Sequence, residues 1–223
     1  MKTEVLQLLL DDFVKSFKNL DNIQQQKLDT ILNLVKNDKL ERDIIRIALL
    51  GGPGSGKSTQ CARFFSDLKA ESKPIEQIQE WVREAINKKQ IPEGNSWSQF
   101  WIYQEQKIKE DCVPEAIKYL VTDSPTLLSY VYALQYAKRP TDNYLLIKMY
   151  ENFINDITRY DYVFLCAREK AYLKDGTRSQ TKEEAMALDS VIINLLQLHS
   201  IPYNVLTGSA DERSKKMREI IKV

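Results

Sequence analysis

Cysteine is scarce in this chain of 223 residues, and its placement excludes two kinds of small domain. The three cysteines, Cys61, Cys112 and Cys166, are odd in number, far apart and not arranged as a C-x-x-C pair. Such a set builds neither a disulfide framework nor a zinc site with the usual ligand spacing. We therefore expect free thiols in a reducing cytosol.

Long apolar runs and an excess of charge are also missing. No apolar segment approaches the roughly 20 residues of a membrane-spanning helix, and Asp11 and Asp12 interrupt the segment that would be apolar in a secretory signal. With 32 basic and 31 acidic residues, the net charge is +1. This balance gives no global field for nucleic acid or an acidic membrane, although a local basic patch is compatible with it. We expect a cytoplasmic protein without a membrane partner.

Residues 1–40 contain neither glycine nor proline, and their apolar side chains follow helical spacing. The pattern predicts two helices that meet at a turn over residues 19–22. We expect a helical hairpin packed on the rest of the chain, and the alternative is an arm for oligomerisation or for a partner protein. The two apolar stripes consist of Val5, Leu8, Leu9, Phe13 and Phe17, and of Leu28, Ile31, Leu32 and Val35.

One segment is more informative than the rest: a glycine-rich loop over residues 51–59, between a strand pattern and a helix pattern. Gly51, Gly56, Lys57 and Ser58 satisfy the spacing G-x-x-x-x-G-K-[ST]. Backbone N–H groups of such a loop and the N-terminus of the following helix bind phosphate. We expect Lys57 to reach the β- and γ-phosphates of ATP and Ser58 to ligate Mg²⁺. The predicted ATP-binding residues are Gly52, Gly54, Ser55, Gly56, Lys57, Ser58, Thr59 and the more distant Arg168.

Strand and helix patterns alternate along the rest of the chain. This alternation predicts an α/β fold, with a parallel sheet of about five strands covered by helices on both faces. We expect an N-terminal helical extension over 1–40 and a nucleotide-binding domain over 41–223, with a lid at about 168–182. Predicted strands cover 44–50, 74–80, 119–122, 160–165 and 202–206, and predicted helices cover 58–68, 81–110 with a break near 91–94, 126–138, 143–158, 181–199 and 210–221.

Two carboxylates follow predicted strands, Glu80 after the second and Asp123 after the third. Ligands of open parallel sheets bind at the carboxyl ends of the strands, so both side chains should lie near the loop. Asp123 is predicted to hold Mg²⁺ or to accept a hydroxyl proton, unless it only caps the following helix. Glu80 is predicted to orient or deprotonate an acceptor hydroxyl, with a solvent-exposed carboxylate as the alternative. Arg83, one helical turn further, would bind an acceptor phosphate or support Glu80, or would form a surface ion pair.

Two arginines flank the polar segment that follows the fourth strand. Arg178, near Gly176, is the favoured catalytic arginine, because a guanidinium on a closing lid stabilises the charge of a transferring phosphoryl group. Arg168 is the second candidate, and a solvated loop charge is the alternative for Arg178. The lone histidine, His199, is predicted to cap the C-terminus of a helix.

Three aromatic side chains, Trp97, Trp101 and Tyr103, lie within one predicted helical region. Such side chains can stack on a base. Their spacing nevertheless favours packing in the core, and we expect that role.

The region 44–221 resembles small P-loop kinases and ATPases that are common in phages and related to the nicotinamide riboside kinase group. The resemblance rests on the loop, on Glu80 to Arg83, on the residues 122–130 that include Asp123, and on Gly176 to Ala185, where one residue is inserted between glycine and arginine. Gln99 and Gln106 match two glutamines of a family helix. The resemblance implies a P-loop kinase-type fold, with Glu80, Arg83, Gln99 and Gln106 as acceptor-binding residues. Residues 1–40 lie outside it.

Loop, carboxylates and resemblance together predict a kinase that transfers the γ-phosphate of ATP to a hydroxyl of a nucleoside, a nucleotide or a modified nucleotide in DNA. Phage enzymes that phosphorylate 5-hydroxymethyluracil in DNA are also P-loop kinases. The alternatives are a nucleotide-hydrolysing switch and an ATP-binding protein that acts through its N-terminal helices. Ring ATPases usually place a water-activating glutamate after the strand-end aspartate, whereas Asp123 is followed by Ser124 and Pro125.

Overall fold

The computed structural model describes residues 44–90, 94–168 and 181–223. The predicted hairpin over 1–40, Arg178 and most of the predicted lid lie outside these residues. The strands are β1 (Ile45–Leu50), β2 (Ile75–Ile78), β3 (Tyr119–Thr122), β4 (Tyr162–Cys166) and β5 (Asn204–Leu206). They form one sheet in the order β2-β3-β1-β4-β5, and every neighbouring pair is parallel. The predicted five-stranded parallel sheet is therefore confirmed.

Helices join the strands, because parallel neighbours require crossover connections. Two of them lie between β2 and β3, and another two lie between β3 and β4, where a short 3₁₀ turn over Ile157–Arg159 follows. The helices are α1 (Lys57–Ala70), α2 (Trp81–Asn87), α3 (Ser98–Asp111), α4 (Leu127–Tyr136), α5 (Asp142–Asp156), α6 (Lys182–Leu198) and α7 (Ala210–Ile221).

Strand β1 lies at the centre of the sheet, and its side chains alternate between two apolar cores. Ile47 and Leu49 pack on one face with residues of α1 and α7. Ala48 and Leu50 pack on the other face with residues of α4, α5 and α6. A strand buried on both faces reads as a continuous apolar run, which explains why the sequence pattern located it.

The structure corrects the ends of three strands, including β5, which begins at Asn204, two residues later than predicted. β2 ends at Ile78, because its pairing with β3 ends at the pair Ile78–Thr122. Glu80 is instead the N-cap residue of α2. β4 begins at Tyr162, two residues later than predicted. None of the helices in the described ranges is long and apolar enough to cross a membrane.

Candidate active site

Three segments meet at the carboxyl edge of the sheet. The glycine-rich loop follows β1, Asp123 follows β3 directly, and Glu80 lies two residues beyond β2. Because β2, β3 and β1 are neighbours in the sheet, these segments lie side by side although the sequence separates them widely. The structure thus brings the loop and both predicted carboxylates together at the edge where parallel sheets bind ligands.

The loop has a backbone suited to bind phosphate. Gly56 is the N-cap residue of α1 with a φ of 90°, a conformation that favours glycine, and no side chain caps this helix. The first N–H groups of α1 therefore remain available for an anion. Ser58 and Thr59 are exposed at the same helix start. The Ser55 hydroxyl is buried and has no hydrogen-bond partner within the described residues.

Lys57 folds back over the loop that precedes it. Its Nζ donates to the carbonyl of Gly51 at 2.6 Å and to that of Gly52 at 3.1 Å. Burial lowers the pKa of Lys57, whereas Glu80, Cys166, Asp123 and Asp189 act to raise it. The ammonium group thus lies in the field of three carboxylates, which a bound triphosphate would replace as its main counter-charge.

Glu80 lies in an environment that makes its carboxylate more basic. Burial raises the pKa of Glu80, Lys57 acts to lower it, Asp123 raises it further and Arg83 lowers it. The Arg83 Nη2 atom is 3.8 Å from Glu80 Oε2. This distance fits both the predicted support of Glu80 and the alternative of a surface ion pair, so the role of Arg83 stays a prediction.

Asp123 does not cap the helix that follows it. α4 begins at Leu127, its N-cap residue is Thr126, and no side chain caps it. Asp123 is only 7 % exposed, and its Oδ1 atom is buried without a hydrogen-bond partner among the described residues. A buried carboxylate oxygen without a partner is costly, and it fits a bound water molecule or cation.

The donor set around Asp123 fits Mg²⁺ only together with phosphate. The described ranges contain no group of three or more His, Cys, Asp or Glu side chains that could hold a metal. Mg²⁺ is usually bound through one or two protein oxygens, with substrate phosphates and water as its other ligands. The Asp123 carboxylate and the Ser58 hydroxyl would supply a set of this kind.

The two predicted acceptor glutamines differ in their contacts. Gln106 is buried; its Oε1 accepts from the Trp81 N–H at 3.2 Å and its Nε2 donates to Thr122 Oγ1 at 3.3 Å. It therefore ties α3 to the start of α2 and to the end of β3. Gln99 is also buried, but its side chain makes no hydrogen bond with the described residues.

Arg168 and a residue that sequence reasoning missed, Asp189, complete the site. Arg168 lies just beyond β4, and its guanidinium bonds to Asp189 of α6 and to the carbonyl of Pro53 in the loop. Asp189 lies within an amphipathic helix, and no local pattern marks it. Arg213 was missed for the same reason, and its Nη1 donates to the Ser55 carbonyl at 3.2 Å.

The predictions for the aromatic side chains and for His199 are confirmed only in part. Tyr103 is in the core at 4 % exposure, but Trp97 and Trp101 are 43 % and 61 % exposed, so core packing was the wrong prediction for the tryptophans. The indole of Trp97 donates to Asp142 Oδ1 at 3.1 Å, which holds that ring at the surface. His199 terminates α6 as predicted, and its N–H donates to the Leu195 carbonyl. Arg178 lies outside the described residues and stays a prediction.

Sheet order, loop and strand-end carboxylates define a P-loop fold of the kinase type. Residues 46–213 match a family described as an AAA domain (AAA_28), and this match covers most of the chain. The chain belongs to this family. A search of curated proteins finds no match to this chain.

Solved structures share the fold at low sequence identity. The NadR protein in complex with NR has a TM-score of 0.66 and 17% identity, over 82% of this chain and 53% of that chain. Thymidylate kinase from Ehrlichia chaffeensis has a TM-score of 0.55 and 14% identity, over 79% of this chain and 98% of that chain. Deoxyadenosine kinase from M. mycoides, with dCMP and dCDP bound, has a TM-score of 0.53 and 16% identity, over 80% of this chain and 98% of that chain. The chain spans about half the length of NadR, and these likenesses confirm the P-loop kinase-type fold.

Proposed function

We propose that this protein is a kinase that transfers the γ-phosphate of ATP to a hydroxyl of a nucleoside, a nucleotide or a modified nucleotide in DNA, such as 5-hydroxymethyluracil. The observation that carries the proposal is the meeting of Lys57, Glu80 and Asp123 at the mouth of the glycine-rich loop. A cation for the phosphates, a carboxylate for the metal and a second carboxylate for the acceptor are the parts that phosphoryl transfer requires.

The loop side of the site would hold ATP. No side chain caps the start of α1, so its first N–H groups would bind phosphate oxygens, and Lys57 would exchange its carbonyl contacts for phosphate oxygens. Asp123 and Ser58 would hold Mg²⁺. When bound, Mg²⁺ neutralises charge that develops on the β- and γ-phosphates.

Glu80 would act on the acceptor hydroxyl. Its side chain is partly buried, at 32 % exposure, and this partial burial raises its pKa, which makes the ionised form a better proton acceptor than a fully exposed glutamate. Arg83 lies 3.8 Å from Glu80 and partly compensates its negative charge. The Arg83 side chain is 60 % exposed, so it is also accessible to a phosphate on the acceptor. Gln99 is buried and makes no side-chain hydrogen bond with the described residues, so we propose it as the glutamine that contacts the acceptor.

The proposed acceptor class follows from the solved structures that share this fold. Thymidylate kinase and deoxyadenosine kinase are named for nucleotide and nucleoside substrates. The resemblance to phage-type kinases adds a modified base in DNA. We propose residues 41–223 as the catalytic domain and residues 1–40 as an extension that serves oligomerisation or a partner.

An acceptor screen tests the proposal. The protein is incubated with Mg²⁺ and ATP labelled in the γ-phosphate, together with a panel of nucleosides, nucleotides and DNAs that includes DNA containing 5-hydroxymethyluracil. Label in one acceptor, absent with the Lys57→Ala variant, is the expected result. Label in free phosphate alone would refute the kinase.

An ATP-hydrolysing switch is the second candidate, and the AAA domain family membership favours it. The strand end argues against it, because Ser124 and Pro125 follow Asp123 and offer no carboxylate to activate water. Phosphate release that is independent of every acceptor in the screen would support the switch. Binding of ATP without either product would leave a nucleotide-binding protein.

A further inference from the structure

Asp189 of α6 makes an unassigned contact with the glycine-rich loop. Its Oδ1 atom accepts a hydrogen bond from the Gly52 N–H, with an N···O distance of 2.5 Å. Its Oδ2 atom lies 2.9 Å from both the Nε and the Nη2 atoms of Arg168. One carboxylate thus joins the loop after β1 to the residue that follows β4.

Arg168 extends this contact to the next residue of the loop. Its Nη1 donates to the Pro53 carbonyl at 2.7 Å, and its Nη2 donates to the Ala185 carbonyl of α6 at 3.4 Å. The side chains of Arg168 and Asp189 are only 12 % and 21 % exposed, so water screens the pair weakly. Charge-assisted hydrogen bonds of this kind are stronger than neutral ones.

The backbone of α6 also lies directly against the loop. A Cβ atom on Gly52 would lie 2.6 Å from the Ala185 carbonyl oxygen and 2.8 Å from Asp189 Oδ1, closer than carbon atoms approach oxygen. On its other side, the Gly52 carbonyl accepts from Lys57 Nζ at 3.1 Å. Both polar groups of this part of the loop are therefore held, and Asp189 holds one of them.

We infer that Asp189 is a positioning residue for the glycine-rich loop, and that Arg168 acts with it by holding the Pro53 carbonyl rather than by binding the γ-phosphate. The inference rests on the proposed function, because it assumes that this loop binds ATP. The loop surrounds phosphates that ADP and ATP share. Loss of the Asp189–Arg168 pair therefore weakens both nucleotides to the same degree, whereas loss of a γ-phosphate ligand would weaken ATP alone.

The test measures nucleotide affinity by calorimetry, with Mg²⁺-ADP and Mg²⁺-AMP-PNP as ligands. Asp189→Asn keeps the side-chain shape but removes the charge and one hydrogen-bond acceptor. We expect both affinities to fall by the same factor, about 10-fold, the scale of one charge-assisted hydrogen bond. Glu183→Gln is the matched control: it removes an exposed carboxylate of the same helix and should bind both nucleotides as the wild type does.

Arg168→Ala and the double variant test whether the two residues act as one unit. If Asp189 works through the pair, Arg168→Ala weakens ADP and AMP-PNP equally, and adding Asp189→Asn to it costs less than it does alone. Wild-type affinity in Asp189→Asn would overturn the inference. A loss confined to AMP-PNP in either single variant would also overturn it, because that pattern identifies a γ-phosphate ligand.

A measurement on the wild-type protein decides the case in which Asp189→Asn fails to fold. Hydrogen exchange at the Gly52 amide, followed by NMR without nucleotide, should be slowed by the bond to Asp189, and exchange at the rate of an unprotected amide would overturn the inference. Wild-type protein that binds both nucleotides but phosphorylates no acceptor would refute the proposed kinase and leave this inference standing. If it binds neither nucleotide, the ATP site itself is refuted, and Gly52 exchange alone decides whether Asp189 holds the loop.

Discussion

At the scale of single residues, the ammonium group of Lys57 lies among three carboxylates. We expect it to move from its present contacts to phosphate oxygens when a nucleotide binds. Lys57 contacts the carbonyls of Gly51 and Gly52 and lies in the field of Glu80, Asp123 and Asp189. The two carbonyl contacts orient the ammonium, and the three carboxylates oppose the lowering of its pKa by burial.

Lys57→Ala should abolish transfer while the domain stays folded, because the domain is held by two apolar cores to which Lys57 does not belong. Removal of one preorganised charge-stabilising donor typically costs about 10²–10³ in rate. The measurement is the initial rate of phosphate transfer to the acceptor found in the screen, with circular dichroism as the control for folding. Wild-type turnover in this variant would show that the site is wrongly assigned.

Glu80→Gln should slow transfer to the acceptor and spare ATP binding, if Glu80 is the base. In the wild type, burial raises the pKa of Glu80, so the acid limb of kcat/KM should lie above the pH range of an ordinary glutamate. Arg83 acts to lower that pKa, and Arg83→Ala should therefore shift the limb to still higher pH. A pH–rate profile checks both shifts, and equal loss of ATP binding in Glu80→Gln would contradict the role.

At the scale of elements, buried polar side chains fix the helices that carry the site. Gln106 of α3 bonds to the first residue of α2, next to Glu80, and to the last residue of β3, next to Asp123. The two proposed catalytic carboxylates thus depend on one amide for their relative position. Of the two glutamines predicted to bind the acceptor, Gln99 stays a candidate ligand, whereas the amide of Gln106 links α3 to α2 and β3.

Gln106→Leu should lower the free energy of unfolding by about 1–3 kcal/mol, because the Trp81 N–H and the Thr122 hydroxyl lose a buried partner. The KM of the acceptor should rise, since Glu80 and Arg83 lie on the released helix. Gln104→Leu on the same helix is the control; its side chain has no hydrogen bond in the described residues, and we expect a change within about 0.5 kcal/mol. Denaturant unfolding and steady-state kinetics provide the two readouts.

A second buried group ties the end of α3 to the two residues that lie just before Asp161 and β4. Glu110 is fully buried, accepts from Arg159 Nε at 3.1 Å and accepts from the Tyr160 hydroxyl. Burial raises the pKa of Glu110 to about 7, although Arg159 and Tyr160 oppose the shift. Between the ordinary glutamate pKa and about 7, the native state holds a proton on Glu110 that the unfolded state releases.

This proton makes stability fall as pH rises through that window, since the unfolded state binds fewer protons there. A shift of this size corresponds to about 3 kcal/mol between its low-pH and high-pH ends. Glu110→Gln should remove that part of the slope, as measured by urea unfolding at several pH values. Glu115→Gln, an exposed carboxylate just beyond α3, should leave the slope unchanged, and an equal slope in the wild type and Glu110→Gln would contradict the buried proton.

At the scale of the whole molecule, the loop lies on the central strand and contacts α1, α6 and α7. Gly52 meets Asp189 of α6, and the Ser55 carbonyl meets Arg213 of α7. A ligand that binds this loop is therefore linked to the stability of the entire described domain.

A saturating nucleotide should accordingly stabilise the domain as one cooperative unit. At a Mg²⁺-ADP concentration of about 100 Kd, the gain is about 2.7 kcal/mol. For a chain of this size, it raises the thermal midpoint by roughly 5–10 °C. Scanning calorimetry provides the measurement, and Lys57→Ala should show a smaller shift. An unchanged midpoint in the wild type would refute nucleotide binding to the native state.

Local pattern by itself determined the elements and the phosphate loop. The apolar run of β1, the glycine spacing and the alternation of strands with helices are encoded within windows of a few residues, so they could be recognised without a structure. The position of the carboxylates at one edge followed as well, because parallel strands end on the same side. At least one apolar side chain is buried in each of the five strands.

Only the tertiary structure decided which side chains meet. Asp189 and Gly52 are 137 positions apart, and neither carries a local signal for the other. Gln99 and Gln106 look alike in sequence, yet only Gln106 has its amide engaged by Trp81 and Thr122. Trp101 follows a core-like spacing and is nevertheless exposed. Such outcomes depend on how distant segments pack against one another, and hydrophobic periodicity specifies the face of an element but not the neighbour that will cover it.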